Sequence, residues 1–249
     1  MSVIYKWYNN DIKGIIMGFK EVFKKYGISL SEKQIGQFND YYKLLVEYNQ
    51  RFNLTNIVDY DGVWLKHFLD SCLPCNCFDE NKTVLDIGGG AGFPSIPLKI
   101  IRPDLDITIL DSVNKKVEFM NLVIEKLKLN NIIAIHGRCE DVAKKAEYRE
   151  KFDYCVARAV APLSTLLEYT VPFIKLDGKL VLYKGSGYGD EITLSKNTCK
   201  ELDCVLENVD EVNVEELGLN RYFLIYHKNS ITKNKYPRGQ NKPRTSPLN

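Results

Sequence analysis

The sequence predicts an α/β domain built on a doubly wound, mostly parallel sheet of seven strands, preceded by a helical cap. Three observations predict it. From Thr83 onward, short apolar runs rich in Ile and Val alternate with helical periodicities, as in strands buried beneath crossover helices. Before Thr83 only helical patterns occur. Between the two regions, the apolar run Val84-Leu85-Asp86-Ile87 passes directly into glycines at 88, 90 and 92, a strand followed by a loop whose backbone can approach a ligand closely.

The cap begins with Ile12, Ile15, Ile16, Phe19, Val22, Phe23 and Tyr26, a single helical stripe over residues 11 to 26 that Gly27 can cap. Ser31 and Gln34 form a capping-box pattern. They open a second helix bearing Ile35, Phe38, Tyr42 and Leu45, and a third starts at Asp61 with Trp64, Phe68 and Leu69. Strands follow at 83–87, 106–110, 132–136, 152–157, 179–183, 204–214 and 221–227. The clearest intervening helix presents Val117, Met120, Ile124 and Leu127 on one face. This divides the chain into a cap at 1–78, a sheet domain at 79–230 and a basic segment at 231–249. After Gln240 no apolar period is left, so the end is expected to be flexible.

A chain of 249 residues, 45% hydrophobic and 27% charged, can bury a full core without disulfides or metal. No apolar run nears the roughly eighteen residues of a membrane helix. Lys6, Asp11 and Lys13 break up the first apolar stretch, so no secretory leader is expected and the cytoplasm is the expected location. The odd count of seven cysteines fits reduced thiols. Cys72, Cys75 and Cys77 lack a second C-x-x-C or a nearby H-x-x-x-H, so no metal is expected. From Leu217 onward there are seven basic residues and no acid, which leaves 27 basic and 32 acidic side chains elsewhere, a balance of −5. A basic end on a mildly acidic body suggests contact with phosphates, and a solvated end is the competing explanation.

The glycines spell G-x-G-x-G. Phe93 stands where a dinucleotide fingerprint needs its third glycine, and no G-K-[ST] follows to make a P-loop. The strand at 106–110 ends in Asp111, where an acid about twenty residues past the glycines can chelate ribose hydroxyls. A glycine loop with an acid closing the next strand resembles the S-adenosylmethionine-dependent methyltransferases. Arg138-Cys139-Glu140 after the third strand can hold adenine through a carboxylate or an amide, although Glu140 could equally cap a helix. Arg158, ending the fourth strand, can bind a phosphate or carboxylate in two-pronged fashion, or form a surface ion pair. Lys184 stands at the base of Gly185-Ser186-Gly187-Tyr188-Gly189, read as a mobile loop. His67 lies on the cap just before the sheet and could face the pocket, whereas His136 and His227 at strand ends look structural. After the fourth strand Ala157-Arg158-Ala159-Val160 stands in place of the Asn-Pro-Pro-Tyr type of motif used on exocyclic base amines. Cys155 within the strand and Cys75 before the sheet look structural, which disfavours a thiol nucleophile.

Together these pieces resemble the ribosomal small-subunit RNA methyltransferase G family, also named glucose-inhibited division protein B. The resemblance rests on Asn53-Leu54-Thr55, His67 to Ser71, Leu85 to Pro94, Ile96-Pro97-Leu98, Arg102-Pro103, Leu110-Asp111-Ser112, Arg158-Ala159, Lys184-Gly185 and Tyr236-Pro237-Arg238, in order along nearly the whole chain. It implies a class I methyltransferase fold and methylation of the 7-position nitrogen of one guanine in 16S ribosomal RNA, with S-adenosylmethionine as cofactor. The implied cofactor contacts are Gly88, Gly90, Gly92, Phe93, Asp111, Cys139, Glu140 and Arg158. Arg158, Lys184 and His67 are positioning candidates, because a ring nitrogen with a free lone pair needs no acid/base pair. Lys184, Lys233, Lys235, Arg238, Lys242 and Arg244 are the RNA-binding candidates. The partner is 16S ribosomal RNA or the small subunit, met by a monomer with no membrane or metal involved. Gly89 stands where the family usually has serine or threonine and Ser95 where it has glycine, and the chain after Arg238 also departs. An RNA-binding assembly module that keeps the fold without the activity and a small-molecule methyltransferase are the alternatives. Intact glycines and Asp111 disfavour the first, the basic end the second.

Overall fold

A computed structural model describes residues 18–248. It contains seven strands: β1 (Thr83–Ile87), β2 (Asp106–Asp111), β3 (Ile132–His136), β4 (Phe152–Arg158), β5 (Ile174–Lys184), β6 (Cys204–Val214) and β7 (Leu219–Lys228). They form one sheet in the order β3-β2-β1-β4-β5-β7-β6, parallel except for β7, which runs antiparallel to both β5 and β6. The chain winds outward from β1 through β2 to β3, then returns to start β4 on the other side of β1. That reversal opens a crevice at the carboxyl ends of β1 and β4, where ligands bind in open α/β sheets.

In the cap, residues 18–25 are helical, and Gly27 ends that helix at φ +76°. Residues 11–17 of the predicted stripe lie outside the described residues. The helix Glu32–Phe52 starts with the capping box read from the sequence: the Ser31 hydroxyl accepts from the Gln34 amide at 3.3 Å, and Gln34 Oε1 accepts from the Ser31 amide at 2.9 Å. Its buried stripe is Ile35, Phe38, Tyr41 and Leu45, so Tyr41 takes the inward place that the sequence reading gave Tyr42. The third helical stretch runs from Tyr60, capped by Asp59, with Val63–Leu69 wound as π-helix. The cap aromatics pack edge to face and face to face: Phe19 stacks on Trp64 at 5.0 Å, and Phe38 meets Phe68 at 4.9 Å. The same core continues into the sheet domain through Ala91, Phe93, Ile96, Ile107 and Met120.

The expectation of a flexible end after Gln240, and of a separate tail from 231, is corrected by the packing. Glu168, fully buried, accepts from Arg238 Nε at 2.9 Å and Nη2 at 2.7 Å, and from the Arg238 amide at 2.8 Å. Arg149 donates to the carbonyls of Thr232 and Tyr236, both at 2.9 Å. Tyr236 is buried, and the Thr165 hydroxyl reaches the Pro243 carbonyl at 2.7 Å. A buried carboxylate needs its cation nearby, so the segment is fastened to the body. Among the described residues no helix is long and apolar enough to cross a membrane, and all seven cysteines are free thiols.

Arg238→Ala leaves the Glu168 carboxylate buried and unpaired. The variant is expected to lose about 3 kcal/mol in a denaturant titration, the lower end for a broken buried pair because Arg238 is itself partly exposed. Adding Glu168→Gln is expected to recover much of that loss. Equal stability of Arg238→Ala and the parent would contradict the anchor.

Candidate active site

The glycine loop folds as a tight turn after β1, with the Gly92 and Phe93 amides both donating to Gly89 O, at 2.7 and 2.8 Å. Gly92 sits at φ +100°, and a Cβ there would lie 2.6 Å from the Tyr41 hydroxyl. Only glycine fits beneath the cap. Gly90, at φ +60°, faces the other way: the nearest atom to a Cβ there is Gly88 O at 3.9 Å, so its surface is open for a ligand. Its amide donates to Asp111 Oδ2 at 3.0 Å, and the Val113 amide donates to Oδ1 at 2.8 Å. Asp111 is thereby fixed at the end of β2 as an acceptor beside the loop. The two departures in this loop have local reasons. At Gly89 a Cβ would come within 2.3 Å of Ile109 Cγ2, and Ser95 brings a hydroxyl beside Asp86.

A cavity of about 470 Å³ opens next to the loop and is lined among others by Gly88, Asp111, Cys139, Glu140, Tyr169 and Arg244. Of the cofactor candidates from the sequence, Gly88, Asp111, Cys139 and Glu140 line it, whereas Gly90, Gly92, Phe93 and Arg158 are not among its lining residues. Burial pushes the Cys139 thiol up to about 12, so it stays protonated. Behind the loop Asp86 is fully buried, and neither carboxylate oxygen has a partner in good hydrogen-bond geometry, Ser95 standing at the margin. Burial, with the Asp111 charge adding to it, raises Asp86 to about 7. Sequence reading passed over Asp86, although an acid inside an apolar strand just before glycines is a usable signal.

A second cavity, of about 250 Å³, adjoins the first and is lined among others by Lys66, His67, Asp70, Arg158, Lys184 and Arg221. Ala159 lines both cavities. It follows β4 at φ +57°, a rare conformation for a residue with a side chain. Asp70, 4% exposed, joins the cations: Arg158 Nη1 donates to its Oδ2 at 2.6 Å, and Arg221 Nε donates to its Oδ1. Arg158 Nη2 lies 3.0 Å from His67 Nδ1. Guanidinium only donates, so Nδ1 accepts, and the ring proton sits on Nε2, 2.9 Å from the Thr55 hydroxyl. Burial and the Arg158 charge lower His67 to about 4, which keeps it neutral. Its ring stacks on Phe93 at 4.3 Å, and Arg158 lies over the same Phe93 ring at 5.3 Å. Asp70 and Arg221 were not singled out from sequence, since an acid on a helix and an arginine on a strand carry no signal of their own.

Lys184 is placed differently from the sequence reading. Its ammonium is 2.6 Å from Glu191 Oε2 and its side chain 9% exposed. Glu191 also accepts from the Leu163 amide at 2.7 Å, so the pair pins the turn after β4 and is not an open phosphate contact. The glycine run thought to be a mobile loop leads into the helix Tyr188–Leu194. Lys233 and Lys235 lie near Glu201, at 3.8 and 3.4 Å, and Arg238 holds Glu168. Lys235, Arg238 and Lys242 line a third cavity together with Lys144, while Arg244 turns to the first.

The first cavity suits a nucleoside. Its size lies within the roughly 300–1,000 Å³ of small-molecule sites, Gly88 of the loop and the fixed Asp111 carboxylate line it beside Lys116, Arg138 and Arg244, and the buried Asp86 stands behind the loop. A family model described as GidB, rRNA small subunit methyltransferase G, matches residues 34–220. The chain belongs to this family. A "Ribosomal RNA small subunit methyltransferase G" of Thermoanaerobacter sp. (strain X514) is 43% identical over 242 residues, spanning 96% of this chain and 99% of its own. Its namesake in Brevibacillus brevis is 44% identical over 232 residues, spanning 92% of this chain and 98% of its own. Among solved structures, a SAM dependent methyltransferase from Aquifex aeolicus matches with a TM-score of 0.53 and 16% identity, over 70% of this chain and 96% of that one. TYW2 of P. horikoshii in complex with MeSAdo matches at 0.52 and 12% identity, over 65% of this chain and 62% of that one. These two likenesses concern the fold, a class I S-adenosylmethionine-dependent methyltransferase fold in which the methyl donor is the cofactor.

Asp86 gives cofactor binding a pH dependence. Below about pH 7 its carboxyl is protonated; a cationic ligand nearby favours the ionised form, so binding expels the proton and affinity rises with pH. Calorimetry is expected to show S-adenosylmethionine binding tightening between pH 6 and pH 8, up to the about tenfold limit for one coupled proton. Asp86→Asn is expected to flatten the dependence. A dependence kept in that variant would assign it to another group.

Proposed function

We propose that this chain transfers a methyl group from S-adenosylmethionine to the 7-position nitrogen of a guanine in 16S ribosomal RNA, with the donor in the about 470 Å³ cavity and the base at the Arg158 cleft. One observation carries the reading: the two cavities meet at Ala159, so a nucleoside in the first and a base in the second would face each other across the end of β4. Gly90 and Asp111 would receive the amino-acid and ribose portions of the donor, and Glu140 the adenine. When bound, the donor supplies an electrophilic methyl group.

The cleft's own residues suit a reaction without proton transfer. Lys66, Arg158 and Arg221 outnumber the single carboxylate of Asp70, giving a positive surface for the phosphates and keto oxygen of the nucleotide. Asp70 holds both guanidiniums in place, which saves them conformational entropy when RNA arrives. His67 is neutral, its Nδ1 engaged by Arg158 and its Nε2 directed at Thr55, so it walls the cleft and does not act as a base. The attacking nitrogen has a lone pair and no proton. Catalysis then amounts to aligning it with the methyl group, a contribution of approach and orientation. Lys144, Lys235 and Lys242 around the third cavity would extend the contact to the RNA backbone. The well-formed first cavity favours this reading over an assembly module without activity.

The test is to incubate small ribosomal subunits lacking this modification with methyl-labelled cofactor and to map the label. The reading expects one labelled guanine, cleavable at its 7-methylated position. Arg158→Ala is expected to lower transfer by about a hundredfold or more, as for a lost charged transition-state contact, with a melting temperature lowered but not collapsed, since Asp70 loses one of its two guanidiniums and keeps Arg221. Label on another atom or on no RNA would overturn the reading, and a collapsed melting temperature would make Arg158 structural.

A further inference from the structure

The carboxyl-terminal segment was expected to contact RNA, yet two of its residues, Asn241 and Arg244, line the same cavity as Gly88, Asp111 and Glu140. Arg244 Nη2 donates to Val160 O at 3.3 Å, and the Val160 side chain closes on the glycine loop: a Cβ on Gly88 would lie 2.7 Å from its Cγ2. The Tyr169 hydroxyl stands beside the same guanidinium. The placement is built in. Gln240 and Asn241, neither of them glycine, both hold φ +58°, a double left-handed turn that swings 241–244 toward the cavity. Behind that turn the Pro243 carbonyl takes the buried Thr165 hydroxyl at 2.7 Å, Ser246 O takes Arg238 Nη2 at 2.8 Å, and Leu248 O takes the Thr198 hydroxyl at 2.6 Å. Five contacts thus orient a segment whose one guanidinium in the cavity spends few of its donors on the protein.

We infer that residues 239–245 form a working wall of the cofactor site and that Arg244 binds the nucleoside half of S-adenosylmethionine. This rests on the assignment of the first cavity to that cofactor. A guanidinium has five N–H donors and a flat face. With Val160 O and Tyr169 engaging part of it, the rest is available to ribose hydroxyls or ring nitrogens, or to stack on adenine. Asp111 and Glu140 line the same cavity as acceptors, beside Lys116 and Arg138 of the body, and Arg244 adds a fork of donors from the segment. An exposed arginine that served only the RNA would have no reason to stand beside Tyr169 and Val160 at the cavity.

The experiment measures binding of S-adenosylmethionine and of methylthioadenosine, which lacks the amino-acid half, to the full-length chain without RNA. The proteins are the parent, Arg244→Ala, Arg244→Lys and Asp111→Ala. Arg244→Ala is expected to weaken both ligands about tenfold, the loss of one charge-assisted contact. Arg244→Lys is expected to recover only part, since it keeps the charge and loses the fork. Unchanged affinity in Arg244→Ala while Asp111→Ala binds weakly would overturn this inference and leave the cavity assignment standing. Unchanged affinity in both would remove the cavity assignment as well. If Arg244→Ala melts lower than the parent, Asn241→Gly, which keeps the left-handed turn and removes the side chain lining the cavity, gives the second reading: weakened nucleoside binding supports the wall and unchanged binding contradicts it.

Discussion

Everything in the site depends on the seam where the cap's aromatic core meets the glycine loop at Phe93. Tyr41 and Phe68 from the cap face this ring at 5.5 and 6.1 Å, and the Tyr41 hydroxyl ties the loop by donating to Ala91 O. Each ring brings about 1.5–3 kcal/mol of burial and each pair about 0.5–1.5 kcal/mol more, enough to hold a loop whose glycines would otherwise sample many shapes. The loop is therefore rigid at Gly92, beneath the cap, and open at Gly90. The cap is thus part of the candidate site.

Phe93 also connects to residues of the second cavity. His67 stacks on that ring, Arg158 lies over it, and Asp70 clamps Arg158 and Arg221 from the π-helical end of the cap. π-helical turns are rare and frequent at functional sites; here the turn puts His67 and Asp70 on one side, toward β4. A buried carboxylate shared by two guanidiniums is costly to form and costlier to break. Its return in this reading is geometric: two cations stand fixed at the mouth of a cleft that ends at Ala159.

Legibility from sequence followed the range of the interactions. All seven strands were readable, because each is a local apolar run, and β5 differed chiefly in starting five residues early. Ser31 with Gln34 was readable for the same reason. The position of Asp111 at the end of β2 beside the glycine loop was readable because spacing along one βα unit is a short-range property. The carboxyl-terminal segment was misread because its anchors are remote: Arg238 pairs with Glu168 across 70 positions, and Thr165 reaches Pro243 across 78. Charge alone made these residues look solvated. Lys184 was misread through Glu191, which a helix starting inside a glycine run brings back to it. Tyr41 displaced Tyr42 because both fit a helical stripe, and only the contact with the glycine loop selects between them.

The central claim is that the site works by alignment alone, with no group taking or giving a proton. Single-turnover methyl transfer, followed across pH 6 to 8.5 with cofactor and ribosomal subunits both saturating, tests it directly. Under saturation the Asp86 equilibrium is absorbed into binding, and His67 stays neutral throughout this range because its titration lies near 4. The account predicts a flat profile. A limb falling tenfold per pH unit would reveal a required acid or base and contradict it.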